Sequence, residues 1–372
     1  MKIGITGQAG FVGTHLYNTL GLHTDIESVP FLDSFFDDMT LLRRFVKQCD
    51  VIVHLAAMNR HPDPEVLYST NLSLINKLIE AMTFENVQPH ILFSSSTQEE
   101  KDNLYGRSKK EGRELLEKWA KETDSTFTGL VIPNVYGPFS QPNYNTFIAT
   151  FAHKLINGEQ PKIDVDGSIK LIYISSLCDF IIAAINNTSK GSVQRIEVSH
   201  DFEKKVSEIL SLFENFNDTY AKNGYIPVLK DIDDINLFNT FRSYLDYSKH
   251  FPVKLKKNSD VRGMFVETIK LGIGGQVSFS TTVPGITRGD HYHTRKIERF
   301  TVIKGKARIQ LRKIGSEETI NLFLDGEEPS YVDMPVWVTH NITNIGDDEL
   351  YTIFWINEHF NPEDADTYFE KV

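Results

Sequence analysis

The stretch KIGITGQAGFVGTHLYNTL, residues 2–20, runs from an apolar segment through three glycines into a helical pattern. Residues 2–6 lack polar alternation and read as a buried strand, and residues 11–20 carry helical spacing. Between them Gly7, Gly10 and Gly13 are spaced GxxGxxG. At a strand-to-helix turn, Gly7 and Gly10 let the backbone turn tightly and approach a pyrophosphate. Gly13 lets the helix pack close to the strand, and the helix N-terminus faces the negative charge. A glycine trio alone also fits a plain tight turn. Its place directly after a strand is what points to a dinucleotide.

The same alternation continues. DVIVHLAA (50–57), HILFSSS (90–96) and FTGLVI (127–132) read as further buried strands, with helical spacing over 39–48, 72–82 and 108–122. Repeated strand–helix–strand units predict an α/β domain of Rossmann type, with a doubly wound parallel sheet. Helices are expected at 206–216 and 232–247. Residues 249–263 are basic, contain a proline and read as a junction. Beyond them, short strand-like runs are punctuated by Gly, Pro and Asp, which predicts an all-β antiparallel sandwich or barrel. The boundary is placed near residue 250, giving domains 1–250 and 251–372.

A length of 372 residues suits two domains. The net charge of −11 argues against nucleic acid as a partner, while a single nucleotide needs only a local nest of N–H groups. Cys49 and Cys178 lie far apart without CxxC spacing, so no disulfide framework is expected and a reducing compartment is. The N-terminus enters a strand directly, and no apolar run is long enough to span a membrane. A soluble, cytoplasmic protein without a membrane partner is the expectation.

Two segments carry chemistry in the first domain. Tyr105 and Lys109 of YGRSK lie one helical turn apart on one face. An ammonium close to a phenol favours the phenolate and lowers its pKa. A tyrosine so placed can protonate a carbonyl oxygen while hydride arrives at carbon. Ser94, Ser95 and Ser96, at the end of a strand, offer a hydroxyl to hold that carbonyl. Alone, YxxxK is also a common surface pair.

In order, GxxGxxG, VIVHLAA, STNLSLINKLIEA, ILFSSS, YGRSK and PNVYGP closely resemble the nucleotide-sugar branch of the extended short-chain dehydrogenase/reductase family. The resemblance covers about the first 240 residues, and IKLIYISSLCDFIIAAI (169–185) is similar to a later segment of that family. It implies Tyr105 as acid, Lys109 as its partner and ribose ligand, and Ser96 as carbonyl holder. It implies Gly7, Gly10, Phe11, Val12, Gly13, Leu55, Ala56, Ala57 and Asn71 around the cofactor, and Asn134 near the substrate. Only eight residues separate Ser96 from Tyr105, fewer than in relatives, which leaves Ser94 as an alternative. The segment LVIPNVYGP also lacks an arginine common in the family. No Arg or Lys lies between Lys2 and Arg43, where a 2′-phosphate is usually held, and Asp33 suits the free hydroxyls of NAD. The resemblance to reductases implies NADPH instead.

The second domain contains RGDHYHTRKIERF, residues 288–300. His291 and His293, two apart on a strand, share a face. With Glu298 and the later His340 they would suit zinc or another divalent metal. The pattern GxxxxxHxHxxxxExxxxxxG from Gly285 to Gly305 resembles the first cupin motif. Gly326, Pro335, His340 and Asn344 resemble the second, with Trp337 where a glycine is usual. A cupin (jelly-roll) barrel is therefore implied. SDVRGMFVE (259–267) and RGDHY (288–292) resemble segments of the deoxythymidine-diphosphate 4-keto-6-deoxysugar epimerases, which are cupins. That implies Arg262 and Arg288 on the nucleotide diphosphate and His291 as the base, so His291 has two candidate roles.

The order of the two domains resembles that of bifunctional capsular-polysaccharide enzymes of the UDP-N-acetyl-L-fucosamine route. This implies C3 epimerisation of a UDP-2-acetamido-2,6-dideoxy-4-hexulose in the cupin. NADPH-dependent C4 reduction in the first domain then gives UDP-2-acetamido-2,6-dideoxy-L-talose. Zinc and a homodimer are implied as well. Two rival readings are a single-function reductase whose cupin dimerises and binds sugar, and a non-catalytic sugar-nucleotide sensor.

Overall fold

The computed structural model describes residues 1–261 and 263–372. The chain divides into two compact units, Met1–Phe147 with Asp166–Val206, and Ile148–Val165 with Ser207–Val372.

The first unit is built on β1 (Lys2–Thr6), α1 (Phe11–Leu20), β2 (Glu27–Val29), α2 (Met39–Gln48), β3 (Val51–His54), α3 (Pro64–Glu85), β4 (His90–Ser96), α4 (Leu104–Thr123) and β5 (Phe127–Ile132). Its sheet runs β2-β1-β3-β4-β5, followed by strand Val193–Glu197, and every pairing is parallel. This is the doubly wound sheet expected. All residues of β3 and β5 are buried, which is why their sequences show no polar alternation. On one face, Leu42 and Phe45 of α2, Leu78 and Met82 of α3, and Leu116 and Trp119 of α4 pack against Ile52, Ile91 and Phe127. Leu78 is fully buried there, so Leu78→Ala would cost about 2–5 kcal/mol. Helix α1 packs with helix Ile174–Asn187.

Helix limits differ from the sequence reading in places. Helix α3 begins at Pro64, eight residues before the expected start at 72, because Asp63 accepts from the Glu65 N–H and Pro64 fits the first turn. Helix α4 begins at Leu104, capped by Asn103, so Tyr105 lies in its first turn. The segment expected as one helix over 232–247 ends at Arg242, and Tyr247–His250 forms a separate short turn.

The second unit carries two five-stranded sheets with antiparallel pairing. One runs Val253–Lys254, Ser330–Met334, Glu298–Lys304, Leu350–Ile356, Gln276–Thr282. The other runs Thr319–Asp325, Lys306–Lys313, Val338–Asn344, Thr287–Tyr292, Tyr368–Phe369. The architecture is thus all-β as expected, formed as two sheets rather than one closed barrel. Strand Lys306–Lys313 alternates burial, with Ala307, Ile309 and Leu311 inward. Helix Ile232–Arg242 grips this unit's backbone: Asn239 Nδ2 donates to the Arg295 carbonyl at 2.9 Å and Arg242 Nη2 to that of Met334 at 2.7 Å. Among the described residues no helix is long and apolar enough to cross a membrane.

Candidate functional site

The chain leaves β1 at Gly7 with φ +71, and a Cβ there would lie 2.8 Å from the Ala56 backbone nitrogen. Glycine is needed both for the turn and for the close approach to residues 55–57. A Cβ at Gly13 would meet the Gly7 carbonyl oxygen at 2.2 Å, so the first turn of α1 lies tight on the loop. Gly10 caps α1 without a side-chain hydrogen bond, leaving first-turn N–H groups at Phe11 and Val12 to face an anion. Asp33 opens the short 3₁₀ turn after β2 and is exposed.

Asn71 reaches from α3 to two neighbours. Its oxygen accepts from the Met58 N–H at 2.7 Å, and its Nδ2 donates to the Met58 carbonyl at 3.1 Å and to Ser108 Oγ at 3.0 Å. It therefore braces the segment after Leu55, Ala56 and Ala57 against α4, the helix that carries Tyr105 and Lys109.

Lys109 is buried, and its Nζ donates to the Ser94 carbonyl at 2.9 Å. Burial pushes its pKa down to about 8. Tyr105 is half-buried, and its hydroxyl is pushed up to about 12, first by burial and then by Tyr144. This reverses the lowering expected from Lys109. The physical reason is distance: the ammonium turns to Ser94 and sits 5.9 Å from the Tyr105 ring centre. Tyr105 lines a cleft of about 560 Å3 with Asn59, Arg60, His61, Leu67 and Leu104.

The three serines have different partners. Ser94 donates to the His54 carbonyl at 3.2 Å and Ser95 to Glu99 Oε2 at 2.5 Å. Ser96 accepts from the Gln98 N–H at 3.2 Å, and its hydroxyl can still donate. Asn134 is exposed and donates to the Lys170 carbonyl at 3.3 Å, in a small sheet with Ser168–Tyr173.

Sequence reasoning missed Glu99. This carboxylate is buried between β4 and α4 and receives Ser95, Arg113 Nε at 3.2 Å and Arg195 Nε at 2.9 Å. Burial would raise its pKa, but those hydrogen bonds hold it below the usual range. Its partners come from three segments, so no local motif announces it. The 3₁₀ turn that carries it packs on α4 so tightly that a Cβ at Gly106 would meet the Gln98 carbonyl oxygen at 2.0 Å.

In the second unit, one donor atom each from His291, His293, Glu298 and His340 lies within 4.8 Å of the others. The register shifts between Gly289 and His291, and His291 pairs with His340 on the neighbouring strand. Glu298 opens a strand of the other sheet. His293 and His340 both aim Nε2 at Glu298 Oε2, at 3.3 and 3.2 Å. Their Nδ1 atoms face backbone carbonyls, of Asp366 at 2.5 Å and Val338 at 3.2 Å. A carbonyl only accepts, so the proton of each neutral ring sits on Nδ1. The Nε2 lone pairs then converge with a carboxylate oxygen, a set of acceptors that fits a cation.

Burial would raise the Glu298 pKa, yet hydrogen bonds and charge from His293 and His340, when their Nε2 atoms carry protons, hold it well below the carboxylate range; a bound cation would take the place of those protons. His291 is half-buried, and its pKa is pushed down to about 4 by burial, then by His340 and His293. Trp337, at the position where the second cupin motif usually has glycine, has φ +59 and stacks on Tyr292 at 5.7 Å. The left-handed backbone is kept although the residue differs. Arg288 is exposed and donates to the Thr281 carbonyl at 3.2 Å. Arg262 lies outside the described residues.

Residues 3–198 match the NAD dependent epimerase/dehydratase family, and residues 258–368 match a polysaccharide biosynthesis C-terminal domain. A UDP-2-acetamido-2,6-beta-L-arabino-hexul-4-ose reductase from Pseudomonas aeruginosa is 34% identical over 370 residues, covering 99% of this chain and 98% of the relative. The crystal structure of capsular polysaccharide assembling protein CapF from Staphylococcus aureus is similar over 100% of both chains, with 35% identity and a TM-score of 0.64. The spore coat polysaccharide biosynthesis protein SpsL of Bacillus subtilis is 28% identical over 123 residues, 30% of this chain and 82% of that protein.

Proposed function

We propose that this chain, which belongs to the NAD dependent epimerase/dehydratase family, is a bifunctional nucleotide-sugar enzyme. Its substrate is a UDP-2-acetamido-2,6-dideoxy-4-hexulose. Residues 251–372 invert C3, and residues 1–250 reduce the C4 ketone with NADPH, giving UDP-2-acetamido-2,6-dideoxy-L-talose for capsular polysaccharide. The enzyme works in the cytoplasm as a homodimer.

The convergence of His291, His293, Glu298 and His340 carries this reading, in a chain that also has Tyr105 and Lys109 one turn apart. The order of steps follows from chemistry. The C3 proton is acidic only while C4 is a ketone, because the enolate is delocalised. Epimerisation therefore precedes reduction, and reduction fixes the configuration.

In the cupin, His293, Glu298 and His340 are buried and would hold zinc, whereas His291 is half-buried. A metal held there supplies Lewis-acid stabilisation of an oxygen. His291 removes the C3 proton, and an acid returns one to the opposite face. Arg288, with Arg262, holds the diphosphate by charge-assisted hydrogen bonds. In the reductase, the loop of Gly7, Gly10 and Gly13 would hold a nicotinamide cofactor, which would supply hydride when bound. Ser96 holds the C4 oxygen, and Tyr105 gives it a proton. Lys109 orders Tyr105 and the ribose.

A second reading is a reductase whose cupin only dimerises and binds sugar. It is favoured by the Pseudomonas relative's name, which gives a reductase alone. Incubating the keto-sugar with NADPH and solving the product's configuration by NMR separates the two. Inversion at C3 supports the bifunctional enzyme, and retention at C3 leaves the reductase.

A further inference from the structure

We infer that Asp366 is a positioning residue of the metal centre, which rests on the reading that the His291, His293, Glu298 and His340 cluster binds a metal. Asp366 is 4% exposed and holds φ +40, a backbone that aspartate tolerates better than most residues. Its Oδ1 accepts from the Thr294 N–H at 3.0 Å and the Thr294 hydroxyl at 2.7 Å. Its Oδ2 accepts from the Arg295 N–H at 3.1 Å and the Lys296 N–H at 3.0 Å. Its backbone carbonyl accepts from His293 Nδ1 at 2.5 Å.

One residue thus touches His293 and the three residues after it. Those residues are most of the chain that links His293 to Glu298. The carbonyl fixes the His293 tautomer and aims its Nε2 lone pair at the cluster. The carboxylate, with four hydrogen bonds from one turn, sets where the strand with Glu298 begins. A ligand's tautomer and aim are what second-layer partners control at metal sites.

The rest of the C-terminal segment acts on the same strand. Tyr368 and Phe369 pair with Tyr292 and His291, and the Glu370 N–H donates to the Asp290 carbonyl at 2.9 Å. Lys296 Nζ also donates to the Ala365 carbonyl at 2.7 Å. The last residues of the chain therefore fasten both histidines of the HxH pair. No motif in the sequence marks this role, because Asp366 stands 72 residues from Thr294.

The test is a cobalt(II) titration of the metal-stripped full-length protein, read by visible absorption, with melting of the metal-free forms as a control. Cobalt affinity should fall by about 10–100-fold in Asp366→Ala and about tenfold in Asp366→Asn, with an altered ligand-field band at saturation. Asp366→Asn keeps the side chain's shape and one acceptor oxygen, so it serves where Asp366→Ala does not fold. Folded variants with wild-type affinity and an unchanged band would overturn the proposal. Failure of the wild type itself to bind cobalt would overturn the metal reading, and this inference with it.

Discussion

Lys109 Nζ donates to the Ser94 backbone carbonyl at 2.9 Å, tying α4 to the end of β4 at the level of the serines. The ammonium is buried, and its pKa is pushed down to about 8. It is therefore charged below about pH 8 and loses its proton above. Tyr105, pushed up to about 12, stays protonated throughout that range. If the charged ammonium assists proton delivery, kcat/KM for reduction should fall above about pH 8, approaching tenfold per pH unit. Lys109→Arg keeps its charge, so its slower reaction should lose that break. A wild-type profile flat to pH 9.5 would contradict this role.

The two steps should separate genetically. Tyr105→Phe removes the proposed acid for reduction, so oxidation of the proposed cofactor, NADPH, should drop by about 10²–10⁴-fold. Exchange of the C3 proton should persist in the same variant. Loss of both activities together would mean that the two-site account is wrong.

Metal content distinguishes ligand from base. Glu298→Gln and His340→Ala should lose the metal measured by mass spectrometry of the purified protein, because both groups are buried within the cluster. His291→Asn should keep the metal but slow C3 exchange by about 10²–10⁴-fold. Retention of exchange in His291→Asn would remove it as the base.

Glu99 should matter for stability. Glu99→Ala leaves Arg113 and Arg195 without their shared carboxylate beneath Ser95. Breaking such a pair costs about 3–5 kcal/mol, and the lower end applies because Arg195 is partly exposed. Melting of the first unit should fall by roughly 6–12 °C in calorimetry. A shift under 2 °C would show that the cluster is a surface pair in effect.

The parts legible in the sequence are those with local signals. Strands β3 and β5 show as unbroken apolar runs because both faces are covered. The glycine loop is readable because its three glycines answer to close contacts within a few residues and with Ala56. The HxH…E…H set is readable because three of its four residues lie within eight positions of one another, although His293 falls just past the strand that ends at Tyr292 rather than on it. Strand β2, three residues at the sheet edge and only partly buried, carries too little pattern. Asp63 and Pro64 are a usable start signal for α3, obscured because its first turn is mostly exposed and carries little apolar periodicity. Glu99 and Asp366 are invisible locally, since each is held partly by residues far along the chain: Arg195, 96 residues from Glu99, and Thr294, 72 from Asp366. The Tyr105 pKa could not be read from YxxxK, because burial raises it and the Lys109 ammonium turns to the Ser94 carbonyl.

Whether one chain epimerises and then reduces is decided by incubating the full-length protein with the UDP-linked 4-keto-sugar in D2O without any nicotinamide and following C3 by NMR. Deuterium should appear at C3 with no reduction at C4, and about 10²–10⁴-fold more slowly in His291→Asn. Absence of deuterium at C3 with the wild-type protein would contradict epimerisation by this chain.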